Sequence, residues 1–375
     1  MRILQISSAR TYGGGERHVV DLCRGLQRRG HEVFAALRPT SVWQHRLSFL
    51  PTSNIFQVSI RNSFGVLSAM RIAEFARDNQ IDLIHAHVAR DYIPASIACM
   101  AAPNAKFVIT RHVLFPLKPF NKYALKNVER AIGVSEAVGE ELRRVFPSPK
   151  VAVIANGIDV KAPPEDEAEQ FRKEFREAHG IPEDTFVVGT LGELKELKGQ
   201  RDLVLAAPQV ANAFPASRFV IVGQDHSMDK RFRRDLKRLV SVFGLDDRFL
   251  WLDWLEDTRQ FYAAIDLFVS PSHTESFGLA ILEAMAHGKA VVATDTEGAR
   301  QLVVDNGQLV EVSDPVALAE KIAAMIKDPD RMKSLGDEAR KRAAERFSFD
   351  RMIDETESLY REILGERAEK AHVME

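Results

Sequence analysis

Two carboxylates eight positions apart bracket the stretch of this chain best suited to chemistry, Glu275-Ser-Phe-Gly-Leu-Ala-Ile-Leu-Glu283. An apolar run, Asp266-Leu-Phe-Val-Ser-Pro, precedes it, and a helical pattern follows as far as His287-Gly288. Gly278 lets a ligand approach the backbone closely. The first N–H groups of a helix lack partners within it, and at such a start they favour an anion, phosphate above all. One acceptor side chain in the loop and a second in the second helical turn flank that seat. A diphosphate lying between two hydroxyl-rich groups, as in a nucleotide-sugar, suits the arrangement. The same residues also fit an ordinary strand–loop–helix unit. In that case Leu279, Ile281, Leu282 and Met285 face a core and both glutamates face water.

Three more groups have the right residue types. Tyr12-Gly-Gly-Gly-Glu-Arg follows the first apolar run and opens a helix. Its glycines let backbone N–H groups come near a phosphate or a sugar. The spacing is not that of a dinucleotide-binding G-x-G-x-x-G, and no P-loop lysine follows, so a tight turn explains it equally well. His112, in Thr110-Arg-His-Val-Leu-Phe, stands just past an apolar run, and His85 and His87 end another. Gly192-Glu-Leu-Lys-Glu-Leu-Lys-Gly199 follows the first apolar run of the second half and carries Lys198 where a helix begins.

The elements that must position these groups repeat regularly. Apolar runs at 2–6, 31–37, 82–85, 106–110, 130–134 and 151–154 alternate with helix-period segments such as 17–28, where Val19, Val20, Leu22, Cys23 and Leu26 share a face. The second half repeats the layout at 185–191, 218–222, 248–252, 267–270, 290–294 and 308–310. Such alternation predicts α/β architecture, with two doubly wound parallel sheets covered on both faces. Residues 161–169, with two prolines and an acidic run, read as a linker. The expected domains are therefore 1–160 and 161–346, and a last helix pattern runs over 347–364. Ligands of such sheets bind at the carboxyl ends of strands, so two facing domains would hold one ligand in the cleft between them.

Bulk properties exclude several classes. The 375 residues suffice for two cores, and 45% apolar with 28% charged residues is ordinary globular composition. No apolar run reaches the ~20 residues of a membrane span, and the start of the chain reads as a strand rather than a signal peptide, so a cytoplasmic location is expected. Two cysteines argue neither a disulfide framework nor a metal cluster. Residues 1–160 carry 21 Lys and Arg against 12 Asp and Glu, and residues 161–375 carry 30 against 41, so a basic half is joined to an acidic one. A basic half suggests an anionic partner. Arg111, Lys118, Lys122, Lys126 and Arg130 interleave with Phe115, Leu117, Phe120 and Tyr123, and Trp43, His45, Arg46, Phe49, Leu50 and Arg61 form a second cluster. Both suit an anionic membrane surface, and a solvated basic helix with a core face fits the first as well. No nucleic-acid module accompanies them, so no nucleic-acid partner is expected.

Taken together the motifs resemble the retaining GT-B glycosyltransferases of family 4, the glycosyl transferases group 1. Gly13–Glu16, His112, 156–159, Lys198-Gly199, Gly223 and the Glu275-to-Glu283 run stand in that family's order over nearly the whole length. The resemblance implies two Rossmann-like domains facing across a cleft, with a C-terminal helix at about 347–375 completing the first. It implies transfer of a hexose from a nucleoside-diphosphate sugar, UDP-linked before GDP-linked, to a glycan or lipid-linked acceptor in cell-envelope glycan synthesis. Front-face substitution with retention is the implied route. Neither cofactor nor metal is implied. In this reading His112 contacts the donor sugar, Lys198 neutralises the departing diphosphate and Glu275 holds sugar hydroxyls. Donor binding falls to Gly14, Gly15, Gly192, Glu193, Ser276, Phe277, Gly278, Leu279 and Glu283, the last on the ribose, with residues 251–255 lining the base pocket. Glu16, His87 and Arg111 lie on the acceptor side. A possible peripheral position on the inner face of the plasma membrane goes with the basic half. One departure stands out: Glu193 occupies the place of the family's arginine, where a carboxylate would repel a diphosphate, so Glu193 points away, or Lys195 or Arg201 supplies the missing charge, or catalysis is weak or absent. A nucleotide-sugar 2-epimerase on the same fold and a non-catalytic sugar-nucleotide-binding subunit therefore stay open.

Overall fold

The computed structural model describes residues 1–60, 65–159, 163–303 and 307–365, with only the backbone of residues 307 and 308. Two compact units emerge, Met1–Gly157 together with the segment that starts at Ser348, and Ile158–Phe347.

The first unit is built on a parallel sheet. Its strands are β1 (Arg2–Ser7), β2 (Glu32–Leu37), β3 (Ile55–Gln57), β4 (Leu83–Ala86), β5 (Lys106–Arg111), β6 (Val128–Gly133) and β7 (Val151–Val153), in the spatial order β3-β2-β1-β4-β5-β6-β7. All pairings are parallel. The central strands are buried along almost their whole length, as a sheet with helices on both faces requires. The helix Gly14–Arg28 turns Val19, Val20, Leu22, Cys23 and Leu26 onto that sheet. The C-terminal helix Phe349–Leu364 adds Phe349, Met352, Ile353, Leu359 and Tyr360 to the same core. Gly25 makes this packing possible, because a Cβ there would lie 2.5 Å from the Ile353 side chain. The helix is also pinned electrostatically. Glu357 accepts from Arg29 at 2.8 Å and lies 3.0 Å from His31 Nε2.

The second unit repeats the plan with β8 (Phe186–Leu191), β9 (Ser217–Val222), β10 (Phe249–Leu252), β11 (Leu267–Ser270), β12 (Ala290–Thr294) and β13 (Gly307–Val310), ordered β10-β9-β8-β11-β12-β13. Its core gathers Val188, Leu203, Phe219, Ile221, Leu267, Val292 and Ile322. The linker expected at 161–169 gives way to structure at its far end. Glu165–Ala178 is a helix whose first turn holds Glu165, Asp166 and Glu167. Acid groups at a helix start complement its dipole, so the acidic run is a helix opening rather than a spacer. Residues 160–162 lie outside the described residues.

In each sheet the chain works outward in one direction and then restarts on the other side. That switch falls between β1 and β4 in the first unit and between β8 and β11 in the second. The loops leaving these four strands at their carboxyl ends carry the Gly-rich segment, His87, the Lys198 segment and Glu275. The crevice at a switch point is where open α/β sheets bind ligands.

Candidate active site

In the second unit, two loops meet at the switch point and are tied together backbone to backbone. His273 N–H donates to the Leu197 carbonyl at 3.0 Å. Gly199 turns the first loop in the left-handed region at φ 63°, and a Cβ there would lie 1.7 Å from the Pro271 carbonyl oxygen. Only glycine permits both the turn and the approach. The effect is to set Lys198 against Glu275, Nζ to Oε2 at 2.6 Å. His273 Nε2 lies 2.7 Å from Asp202 Oδ2 and braces the second loop against the helix Gln200–Ala213.

Glu275 is held from behind as well. Gly298 N–H donates to its carbonyl at 2.8 Å, and a Cβ on Gly298 would fall 2.7 Å from the Phe277 backbone. Phe277 is buried and meets Phe347 edge-on at 5.8 Å. Ser276 and Glu275 are half-buried beside it. Gly278, at φ 99°, caps the helix Leu279–Ala286, whose first internal bond runs from Leu282 N–H to the Gly278 carbonyl at 2.9 Å. The N–H groups of Leu279, Ala280 and Ile281 precede that bond, as the phosphate seat requires. Glu283, one turn on, is 4% exposed and accepts from the Tyr262 hydroxyl at 2.8 Å. Tyr262 stacks on His287 with ring centroids 5.0 Å apart. Glu283 is thus a buried carboxylate fixed by a phenol, and Tyr262 is a site residue that sequence reasoning did not single out.

Gly192 lies 2.9 Å, N–H to oxygen, from the Val222 carbonyl, and a Cβ on Gly223 would stand 1.8 Å from the Gly192 oxygen. Glu193 points outward and pairs with Lys195 at 2.5 Å, each about two-fifths exposed. Its charge is therefore answered two residues away, by one of the two cations expected to stand in for the family's arginine. Trp251 is half-buried and stacks on Phe249, whereas Trp254 is 43% exposed and donates to Glu256.

In the first unit the strand ends converge on histidines. His85 lies in β4, His87 and His112 directly follow β4 and β5, and His18 lies in the first turns of the helix Gly14–Arg28. Ring centroids of His18 and His112 lie 4.8 Å apart, and those of His85 and His87 4.1 Å. His85 is spoken for structurally, with Nδ1 at 2.5 Å from the Tyr360 hydroxyl and Nε2 at 2.7 Å from the Thr110 hydroxyl. Burial holds all four imidazoles neutral. It drives His18 down to about 4, against a pull upward from Asn156, and drives His85, His87 and His112 well below the usual histidine range. Gly15 lies against His112, where a Cβ would meet the ring at 3.6 Å. Gly14 is exposed at the helix start. Glu16 turns back to accept from Gly13 N–H at 3.0 Å, and burial raises its carboxyl above the ordinary value. Asp91, fully buried, accepts from Ser8 N–H at 2.7 Å; burial raises it to about 6 against that hydrogen bond.

The two basic clusters separate. Arg111 is 5% exposed and donates to the Phe115 carbonyl, so it belongs to the interior, and Arg130 pairs with Glu362. Lys118, Lys122 and Lys126 remain exposed beside Val113, Phe115, Phe120 and Tyr123. Trp43 and Leu50, expected at a surface, are core residues, and Trp43 donates to the Ala9 carbonyl at 3.1 Å. Arg61 lies outside the described residues. Among the described residues no helix is long and apolar enough to cross a membrane.

Known proteins share this plan. The model of the family Glycosyltransferase Family 4 matches residues 12–162, and that of Glycosyl transferases group 1 matches residues 171–342. The lipopolysaccharide core biosynthesis mannosyltransferase LpcC of Rhizobium leguminosarum bv. viciae is 30% identical over 66% of this chain and 68% of its own. The N-acetyl-alpha-D-glucosaminyl L-malate synthase of Bacillus anthracis is 25% identical over 94% of both chains. Among solved structures, Anabaena Alr3699/HepE in complex with UDP and glucose superposes with a TM-score of 0.84 at 23% identity, covering 96% of this chain and 99% of that one. A glycosyltransferase from Rickettsia africae ESF-5 superposes equally well, with a TM-score of 0.84 at 24% identity over 97% and 98% of the two chains. The fold is the two-domain α/β architecture of the GT-B type, and the chain is a glycosyltransferase that belongs to glycosyltransferase family 4, the glycosyl transferases group 1.

Proposed function

We propose that this chain is a retaining hexosyltransferase. Its donor is a nucleoside-diphosphate sugar, UDP-linked first and GDP-linked next, and its acceptor a glycan or lipid-linked glycan of the cell envelope. The observation that carries the reading is the Lys198–Glu275 pair at 2.6 Å, set at the switch point of the second unit beside an open helix start. A lysine held there by a carboxylate is a cation kept in waiting. The donor's diphosphate takes the ammonium, and Glu275 is released to accept from sugar hydroxyls. The bond between the anomeric carbon and the diphosphate oxygen then breaks while the acceptor oxygen bonds on the same face. The acceptor proton passes to the departing phosphate oxygen. Lys198 and the N–H groups at Leu279 stabilise the charge that develops on the diphosphate. These groups take the place that a metal would fill, and we propose no metal for this step. Glu283, fixed by Tyr262, takes the ribose hydroxyls.

Support for the donor class comes from relatives. The Anabaena structure holds UDP and glucose, and the Rhizobium relative is a lipopolysaccharide core mannosyltransferase. Acceptor recognition falls to the first unit, with Glu16, His87 and Arg111, while His112 contacts the donor sugar. Exposed Phe115, Phe120 and Tyr123 with Lys118, Lys122 and Lys126 give that unit a face suited to an anionic membrane surface, hence a cytoplasmic, peripheral position. The test is proton NMR of product formed from an α-linked donor. Retention gives a product with the small anomeric coupling of an α-glycoside, and a β-glycoside contradicts the reading. Conversion of the donor sugar to its 2-epimer with no acceptor present identifies an epimerase instead.

A further inference from the structure

We propose that His18, His87 and His112 form a three-imidazole site for a transition-metal cation of the zinc class within the first unit. One ring nitrogen from each of the three lies within 4.8 Å of the other two. Nitrogens bonded to one tetrahedral zinc at ~2.0–2.1 Å stand about 3.3–3.4 Å apart. His112 Nε2 and His87 Nδ1 are already 3.4 Å apart, so two of the three ligands have that spacing before any ion arrives.

The surroundings prepare the ligands in three ways. His87 Nε2 lies 2.7 Å from Gln5 Oε1, and an amide oxygen accepts only, so His87 carries its proton on Nε2 and offers the Nδ1 lone pair inward. Gln5 is itself buried, and its Nε2 lies 3.5 Å from the Tyr360 hydroxyl. His18 is 5% exposed, and its buried Nδ1 makes no hydrogen bond of ordinary geometry, with the Asn156 side chain as its polar neighbour. A buried ring nitrogen short of a well-formed hydrogen bond costs free energy, which a bonded cation would recover. The three side chains come from separate elements, the helix Gly14–Arg28 and the ends of β4 and β5, so the sheet's switch point itself brings them together. On binding, the proton that His112 Nε2 shares with His87 Nδ1 moves to His112 Nδ1, and no charge is lost from the rings.

Neutral imidazole suits zinc, nickel, copper and cobalt, and does not suit magnesium, which demands oxygen ligands. The three histidines belong to the first unit, and the helix start that forms the phosphate seat belongs to the second. An ion there would occupy His87 and His112, and on the transferase reading above it would therefore block the acceptor side at His87 and the donor-sugar contact at His112. Only that consequence rests on the transferase reading. Binding itself is tested without donor or acceptor.

The experiment is isothermal titration of the untagged, chelator-treated full chain with zinc chloride, and separately with magnesium chloride. The expected result is one zinc per chain and no magnesium, with zinc affinity at least tenfold weaker in His18→Asn and in His87→Asn. Zinc bound equally by the wild type and both variants would place it on surface histidines and overturn the proposal, as would no binding at all. If the variants fail to fold, cobalt(II) absorption of the wild-type chain decides. Intense visible bands of a low-coordinate nitrogen site support the assignment, and the faint spectrum of the hexa-aquo ion overturns it.

Discussion

Replacing Lys198 with alanine tests the phosphate seat most sharply. In the resting chain its ammonium lies 2.6 Å from Glu275 Oε2, where two unit charges at an effective dielectric of ~20 attract by about 6 kcal/mol. Water reaches both groups, with 27% and 15% of the side chains exposed, so the net contribution to stability is a fraction of that, about 1 kcal/mol. Catalysis has more to lose. A preorganised donor aimed at developing oxyanion charge contributes about 2.7–4 kcal/mol, a factor of ~10²–10³ in kcat. Lys198→Ala should thus lose ~10²–10³ in kcat while unfolding in urea almost as the wild type does. The assay is initial-rate transfer from a UDP-sugar, or donor hydrolysis where no acceptor is yet in hand. A second variant separates catalysis from simple pairing. If Lys198 did nothing but satisfy Glu275, then Glu275→Gln in the Lys198→Ala background would restore the rate. Restoration, or a single-variant rate within about threefold of wild type, would refute the reasoning.

Tyr262→Phe removes the hydroxyl that fixes buried Glu283, and should cost about 1–3 kcal/mol by urea denaturation together with a weaker donor affinity. Glu357 accounts for acid sensitivity in the first unit. Burial raises its carboxyl, but Arg29, Arg361 and His31 outweigh burial and lower it to about 2. A depressed carboxylate stabilises the fold above its unfolded value near 4.5 and loses that contribution as pH falls towards 2. Glu357→Gln should accordingly lower the urea midpoint at pH 7, with the difference from wild type closing between about pH 5 and pH 2. Lys118→Gln with Lys122→Gln should weaken sedimentation with phosphatidylserine vesicles by about 1 kcal/mol per lysine at low salt, and leave transfer to a soluble acceptor unchanged.

Much of this fold was legible because parallel sheets buried on both faces write themselves as apolar runs. Each run read as a strand corresponds to one, and the loops with the Gly-rich segment, His87, Lys198 and Glu275 lie at the switch points. β3 escaped because Ile55–Gln57 is three residues long at a sheet edge, too short for any period to register. The Phe349–Leu364 helix was visible from its own pattern, whereas the reason it docks, the absent side chain at Gly25, is a contact between residues far apart in sequence. The same separation hid Tyr262 and His18. A tyrosine in a short helix and a histidine inside an amphipathic one carry no local mark, and only the register of strands brings them to Glu283 and His112. Glu193 was legible as a departure from the motif but its partner was not, since only the folded loop turns Lys195, two residues on, back onto its carboxylate. The acidic run read as a linker failed for a local reason, since prolines followed by acids equally describe a helix start.

The most direct test of the central claim is calorimetric titration of UDP, GDP and ADP into the wild type, Glu275→Gln and Lys198→Ala, with thermal unfolding followed alongside. One nucleotide should bind and, at 100 times its dissociation constant, add roughly 2.7 kcal/mol to the stability of the wild type. That gain should shrink in Lys198→Ala and survive in Glu275→Gln, because the ammonium takes the diphosphate and Glu275 takes the sugar. Equal binding of a nucleotide by wild type and Lys198→Ala, or none by either, would contradict a diphosphate seat at this switch point.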